Sequence, residues 1–274
     1  MARKRVTELF PFLIPLRTKQ RTFCFYQQMN WDKNHYAKTI QTELYPHVLY
    51  SAYFPLINEE SGHDIQYQKN KVFNLKLAAK TLHGLLILPG ETFSFWQATR
   101  YADKEIPYKE GLCLVNGKII KKAGGGVCQL SNLLFWLFLH SPLTIVERHP
   151  HAVKDFPTPG FPLGVDSTVK EGWLDLKLRN DTQANYQIEI TFDEENIYGA
   201  LRVNQKPDYY YEVASKNLSY YRHQQKQYEA VSVYQQKLAA ADRQVLSETL
   251  LYRNISQLNY TLPADTPWQD GPPQ

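Results

Sequence analysis

Apolar residues recur at helical spacing across residues 70–88, where Val72, Leu75, Ala79, Leu82 and Leu86 fall on one face with Lys71, Lys76 and Lys80 between them. That period predicts an amphipathic helix, and Pro89-Gly90 stops it. Residues 91–96 then alternate polar with aromatic, the pattern of a half-buried strand. Across residues 111–120 apolar positions flank Asn116-Gly117, which predicts a hairpin. Residues 133–139 are apolar without a break, so the helix they predict is buried all round; it stops at His140-Ser141-Pro142.

Beyond that helix the period falls to two. Residues 143–148 form a β-branched run that continues through His149-Pro150-His151-Ala152-Val153. Pro150 lacks a backbone donor, which confines this stretch to an edge strand or an extended loop. A turn-prone segment at 157–164 separates it from a further strand at 165–169. Residues 173–179, 186–192 and 197–203 each alternate faces, with Asn180-Asp181 and Glu194-Glu195-Asn196 as turns, and predict an antiparallel meander. From Pro207 the chain turns rich in tyrosine (Tyr209-Tyr210-Tyr211, Tyr220-Tyr221, Tyr228, Tyr234), as a β region would be. The fold class expected is α+β, a buried helix packed on an antiparallel sheet with a small C-terminal β appendage. The expected division is a basic, mixed N-terminal segment at 1–69, a core domain at 70–206, the tyrosine-rich β region at 207–262 and a loose tail at 263–274.

Composition narrows the function. A formal net charge of +4, without a long Lys/Arg run, gives no reason to expect a nucleic-acid partner. Cys24, Cys113 and Cys128 fit neither a disulfide framework nor a zinc knuckle, which suits a reducing compartment. Arg3-Lys4-Arg5 ahead of the short apolar stretch 9–16 resembles the start of a signal peptide, but Pro11 and Pro15 interrupt it and no small-residue cleavage site follows. No apolar run approaches the ~20 residues that span a bilayer. A cytoplasmic protein is expected, with a basic and apolar N-terminus suited to resting on the anionic inner face of a membrane. Nothing in the sequence calls for a cofactor, and it sets no oligomeric state.

The chemistry converges on one cysteine. Gly124-Gly125-Gly126 leads into Val127-Cys128 at the start of the buried helix, where converging N–H groups lower a thiol pKa and glycines let a substrate approach closely. His149 or His151, two apart on an extended segment and so on the same side, supplies an imidazole base. Asp166 on the following strand orients it. Gln129 and Asn132 are candidates to support an oxyanion beside the Cys128 N–H. Arg148 suits a substrate carboxylate, or a salt bridge to Glu147 or Asp166. Cys24 and Cys113 read as packing. Two alternatives stay open: a metal site built from Cys128, His149, His151 and Asp166, and a binding protein on an enzyme-derived fold that uses the tyrosine-rich end for recognition.

Cysteine at a helix start, then histidine, then carboxylate is an order similar to that of the transglutaminase-like and papain-like cysteine enzymes, although the aromatic residue that usually follows the transglutaminase-type histidine is missing here. Five motifs in sequence resemble the VanW family: Pro89-Gly90-Glu91-Thr92-Phe93-Ser94-Phe95, residues 124–132, Glu147-Arg148-His149-Pro150-His151, residues 164–169 and residues 176–180. The resemblance implies a setting of glycopeptide resistance and cell-wall metabolism. It also implies that His151, the second of the pair, is the base, and His149 the spare. The expected function is cysteine-dependent acyl transfer, of peptidase, amidase or transpeptidase type, on a peptide-like or peptidoglycan-precursor (muropeptide) amide.

Overall fold

The computed structural model describes residues 10–58, 62, 64–115, 118–154 and 162–271. A 3-10 turn at Pro11–Leu13 leads into α1 (Ile14–Trp31), followed by β1 (His35–Tyr36), β2 (His47–Pro55), α2 (Ile65–Ala79), β3 (Leu86–Ile87), β4 (Glu91–Ser94) and α3 (Phe95–Thr99). Next come β5 (Glu110–Val115), β6 (Lys118–Ala123), α4 (Cys128–Leu139), β7 (Thr144–Glu147), β8 (Val153–Lys154) and β9 (Lys177–Arg179). The chain continues through β10 (Tyr186–Phe192), β11 (Asn196–Val203), β12 (Tyr209–His223), β13 (Lys226–Ala239), β14 (Val245–Leu258) and β15 (Trp268–Asp270). The fold is mixed α+β and mostly sheet. The expected Asn116-Gly117 turn and most of the turn-prone 157–164 segment lie outside the described residues.

Among the described residues four groups of strands form, in the orders β1-β4-β9-β7, β2-β11-β10-β3, β15-β12-β13-β14-β8 and the ribbon β5-β6. The second is antiparallel throughout, with β10 and β11 in register from Tyr186↔Val203 to Phe192↔Ile197. Helix α4 lies against it. Leu130, Leu133, Leu134, Phe135, Leu137 and Phe138 are all fully buried, each contributing about 1.5–3 kcal/mol of hydrophobic burial. Contact is close because β11 carries Gly199, where a Cβ would meet Leu137 Cδ1 at 2.8 Å. Phe138 meets Phe93 of β4 with ring centroids 5.0 Å apart, tying the first sheet to the same core.

Several expectations change. The amphipathic helix begins earlier, at Ile65, where the Asp64 side chain accepts from the Gln66 N–H at 2.8 Å as its cap, and it ends at Ala79. Residues 80–88 are not helical: the chain turns through Gly84 at φ +82°, and Leu86–Ile87 pairs with β10. The strand at 91–96 stops at Ser94, whose hydroxyl accepts from the Gln97 N–H at 3.1 Å and starts α3. The three-strand meander divides. Buried Asn180 donates to the carbonyls of Ile87 (3.0 Å) and Ala184 (2.8 Å), turning the chain so that β9 joins β4 and β7 while β10 and β11 form the other sheet.

Residues 165–169 form no strand. The C-terminal region is also no small appendage: β12, β13 and β14 run 15, 14 and 14 residues. It borrows β8 from the segment after His151, and Val233 sits in the main core with Tyr210, Val213 and Tyr252 packed on it. β7 lies at the edge of its sheet. No described helix is long and apolar enough to cross a membrane.

Candidate active site

The glycine loop is fixed from outside. Gly124 and Gly126 adopt φ of +77° and +91°. Gly125 lies backbone to backbone on Gly111 of β5, so that a Cβ on it would sit 2.2 Å from the Gly111 carbonyl carbon. Fully buried Asn74 on α2 donates to the Gly125 carbonyl (3.0 Å) and the Lys109 carbonyl (2.9 Å) and accepts from the Lys109 N–H (2.8 Å). At Gly126 a Cβ would run into the Lys71 stem at 2.2 Å. The expected role of Gly124, Gly125 and Gly126 in substrate approach is therefore replaced, at 125 and 126, by close packing of the protein's own backbone and α2. The loop ends at Val127, and α4 begins at Cys128 with no side chain capping its N-terminus.

Half-buried Cys128 is surrounded by groups from the 166–169 segment. Its sulfur lies 3.6 Å from Thr168 Oγ1 and donates to the Val169 carbonyl at 3.6 Å. His151 also reaches it, near enough for thiol and imidazole to shift each other's titration. His151 Nδ1 is 2.6 Å from Asp166 Oδ1, while the His151 backbone N–H donates to Asp166 Oδ2 at 2.5 Å. The His151 side chain is 26 % exposed and that of Asp166 11 %, so the imidazole is reachable and its carboxylate partner is not. Cys128, His151 and Asp166 are thus brought together in that order.

The carboxylate is held without a β-ladder. Arg148 Nε donates to the Asp166 carbonyl at 2.5 Å, Asn132 Oδ1 accepts the Ser167 N–H at 2.7 Å, and the Ser131 hydroxyl donates to the Ser167 carbonyl at 2.6 Å. The Thr168 N–H donates to the His149 carbonyl at 2.8 Å. These bonds do what strand pairing was expected to do.

The remaining candidates have other duties. Arg148 also donates to Asn254 Oδ1 at 2.7 Å and stacks its guanidinium 4.3 Å from the Tyr252 ring, so it joins the site to β14 and makes no salt bridge to Glu147. Gln129 Nε2 donates to the Pro55 carbonyl at 2.7 Å, and Asn132 is occupied with Ser167, so both amides position chain segments around the thiol. His149 does not share a side with His151: its Nε2 lies 3.0 Å from Glu147 Oε1, in a cluster with Lys177 Nζ, 2.9 Å from Glu147 Oε2, and the Asp175 N–H. This breaks up the metal set of Cys128, His149, His151 and Asp166. Among the described residues no group of three or more His, Cys, Asp or Glu is placed to hold a metal ion.

Two residues missed by the sequence reading, Thr168 and Val169, touch the sulfur. Their only signal was membership of the 164–169 motif. Cys113, read as packing, lies close enough to Cys128 to feel its charge, and burial pushes its thiol up.

Electrostatics favour an ion pair. Burial pushes the Cys128 thiol up, but the His151 imidazole, the Val169 backbone and Thr168 together hold it below its ordinary value. Burial works against the His151 imidazolium, yet the Asp166 carboxylate and the Cys128 thiolate raise it to about 10. Asp166, for which burial disfavours the charge, is held down chiefly by His151 and also by Arg148.

The family model described as VanW like protein matches residues 70–202, which contain all three residues. The chain is 48% identical over 272 residues to the Vancomycin B-type resistance protein VanW of Enterococcus faecalis, covering 98% of this chain and 99% of that protein. The chain belongs to the VanW family. This VanW family member is also 30% identical over 144 residues to the uncharacterized protein YoaR of Bacillus subtilis, spanning 51% of the chain and 46% of that relative. No solved structure matches it.

Proposed function

We propose that this VanW family member is a cysteine-dependent acyl-transfer enzyme of peptidase, amidase or transpeptidase type, acting on a peptide-like or peptidoglycan-precursor amide in glycopeptide resistance. The observation that carries the proposal is His151, paired through Nδ1 with a buried carboxylate at 2.6 Å and coupled to a thiol at a helix N-terminus. In the reaction the Cys128 thiolate adds to the amide carbonyl, forming the C–S bond, and the oxyanion is received by the Cys128 N–H at the uncapped helix end. The His151 imidazolium gives its proton to the leaving amine as the C–N bond breaks. Water or an acceptor amine, losing its proton to His151, then opens the thioester and restores the thiolate. Asp166 holds the ring in orientation throughout. The order of cysteine, histidine and carboxylate supports a relationship in arrangement to transglutaminase-like and papain-like enzymes.

The same reading puts the protein in the cytoplasm, where nucleotide-linked or lipid-linked muropeptides are available. Exposed Phe12, Leu16 and Phe23 on and before α1, interleaved with Arg17, Lys19 and Arg21, support a peripheral seat on the anionic inner membrane face. Iodoacetamide labelling at neutral pH, mapped by mass spectrometry, tests the proposal. Cys128 is expected to react faster than exposed Cys24, and Cys128→Ala to remove the fast phase while Cys24 labels as before. Equal rates at Cys24 and Cys128 would count against an activated nucleophile.

A further inference from the structure

Cations gather on one side of the candidate thiol. In the ribbon β5-β6 the pairs Gly111↔Lys122 and Cys113↔Ile120 place Gly111, Cys113 and Lys122 on one face. That face meets the glycine loop, because Gly111 is the residue pressed on Gly125 and the Gly125 N–H donates to the Lys122 carbonyl at 3.1 Å. Val169, whose carbonyl accepts from the Cys128 sulfur, is followed directly by half-buried Lys170. Lys170 Nζ lies 4.9 Å from the Trp173 ring centroid, and the Arg21 guanidinium carbon of α1 lies 4.3 Å from the same centroid. Gly172, at φ +79° and packed on Thr22, is what lets α1 come this close.

Among the described residues none of Arg21, Lys122 and Lys170 forms an ion pair. Glu171, next in the chain, is turned instead to the Tyr26 hydroxyl, which donates to it at 2.9 Å. Burial, Lys122 and Arg21 all pull the Lys170 ammonium below its ordinary pKa. Like charges packed together without a counter-charge repel, and an anion seated among them removes that cost.

We propose that Arg21, Lys122 and Lys170 form a subsite beside Cys128 for an oxyanion of the substrate, a phosphate or carboxylate group. Its role rests on the acyl-transfer reading: it would hold the charged part of a substrate while the amide lies against the thiol. Ester- or amide-bearing substrates without such an anion would then be poor ones.

The test uses the full chain at low salt, with inorganic pyrophosphate and succinate titrated separately by calorimetry. One of these anions is expected to bind at a single site. Affinity should fall about tenfold or more in the Lys122→Gln/Lys170→Gln double variant, as the loss of two charge-assisted contacts implies. It should be retained in Cys128→Ala and in Lys80→Gln, an exposed lysine on the far end of α2. Tighter binding of pyrophosphate identifies a phosphate subsite, and tighter binding of succinate a carboxylate subsite. Alkylation of Cys128 by anionic iodoacetate, relative to neutral iodoacetamide, should drop in the double variant. Selective anion binding together with an unreactive Cys128 would overturn the acyl-transfer reading and leave the subsite standing. Failure of both anions to bind the native protein, or equal binding to the double variant, would overturn the subsite.

Discussion

Replacing His151 by alanine is expected to take Cys128 from fast to slow alkylation at neutral pH. With the imidazolium gone, burial is the dominant influence left on the thiol, and it favours the neutral form. A thiol at or above the free pKa of ~8.5 is at most about 3 % thiolate at pH 7, so the reactive fraction should fall, by roughly thirtyfold where the native thiol is fully ionised. Turnover, which also needs the ring as acid and base, should fall by about 10²–10⁴. Losing the ring also leaves the Asp166 carboxylate buried with only the residue 151 N–H and the charge of Arg148 to balance it, at a cost of about 3–5 kcal/mol. His151→Gln keeps a hydrogen-bonding side chain and separates the two effects: it should recover part of the stability in urea melts and none of the reactivity. Alkylation at native rates in either folded variant would show that the thiol does not depend on His151.

The second large effect is on stability. Gly125→Ala places a methyl 2.2 Å from the Gly111 carbonyl carbon, against backbone that cannot rotate aside as a side chain can. Relief requires the ribbon β5-β6 and the glycine loop to separate, which strains the Asn74 bonds to Gly125 and Lys109 as well. A loss of about 3 kcal/mol or more is expected in chemical denaturation. Gly90→Ala provides the comparison: unlike Gly125 it has positive φ, at +78°, but a Cβ there meets nothing within 4 Å, so backbone strain of about 1 kcal/mol is the whole cost. Equal losses at the two positions would mean that close packing is not what fixes the loop.

What the sequence made legible was local. The glycine run and the unbroken apolar stretch after it lie in one contiguous segment, so a thiol at the start of a buried helix could be read directly from residues 124–139. What stayed hidden was decided by partners distant in the chain. Residues 165–169 have the composition of a strand, yet Arg148, Asn132, Ser131 and the His149 carbonyl take their backbone groups before any ladder can. His149 should have shared a side with His151 by simple alternation, but the Glu147–Lys177 pair captures its ring. Leu82 and Leu86 continue an apolar pattern that suits a helix, while the positive φ of Gly84 and the open edge of β10 turn the same residues into a turn and a strand. The long ribbon of β12, β13 and β14 read as an appendage because its packing on the core depends on Tyr210, Val213, Val233, Leu251 and Tyr252, positions scattered along strands whose period does not mark them out.

Thiolate absorbance, titrated as the difference between the native protein and Cys128→Ala, tests the ion pair between Cys128 and His151 most directly. The thiol is held down by an imidazolium that itself persists to about 10, so the signal should emerge below the free-thiol value. A signal that emerges only above the free-thiol value of ~8.5 would contradict it.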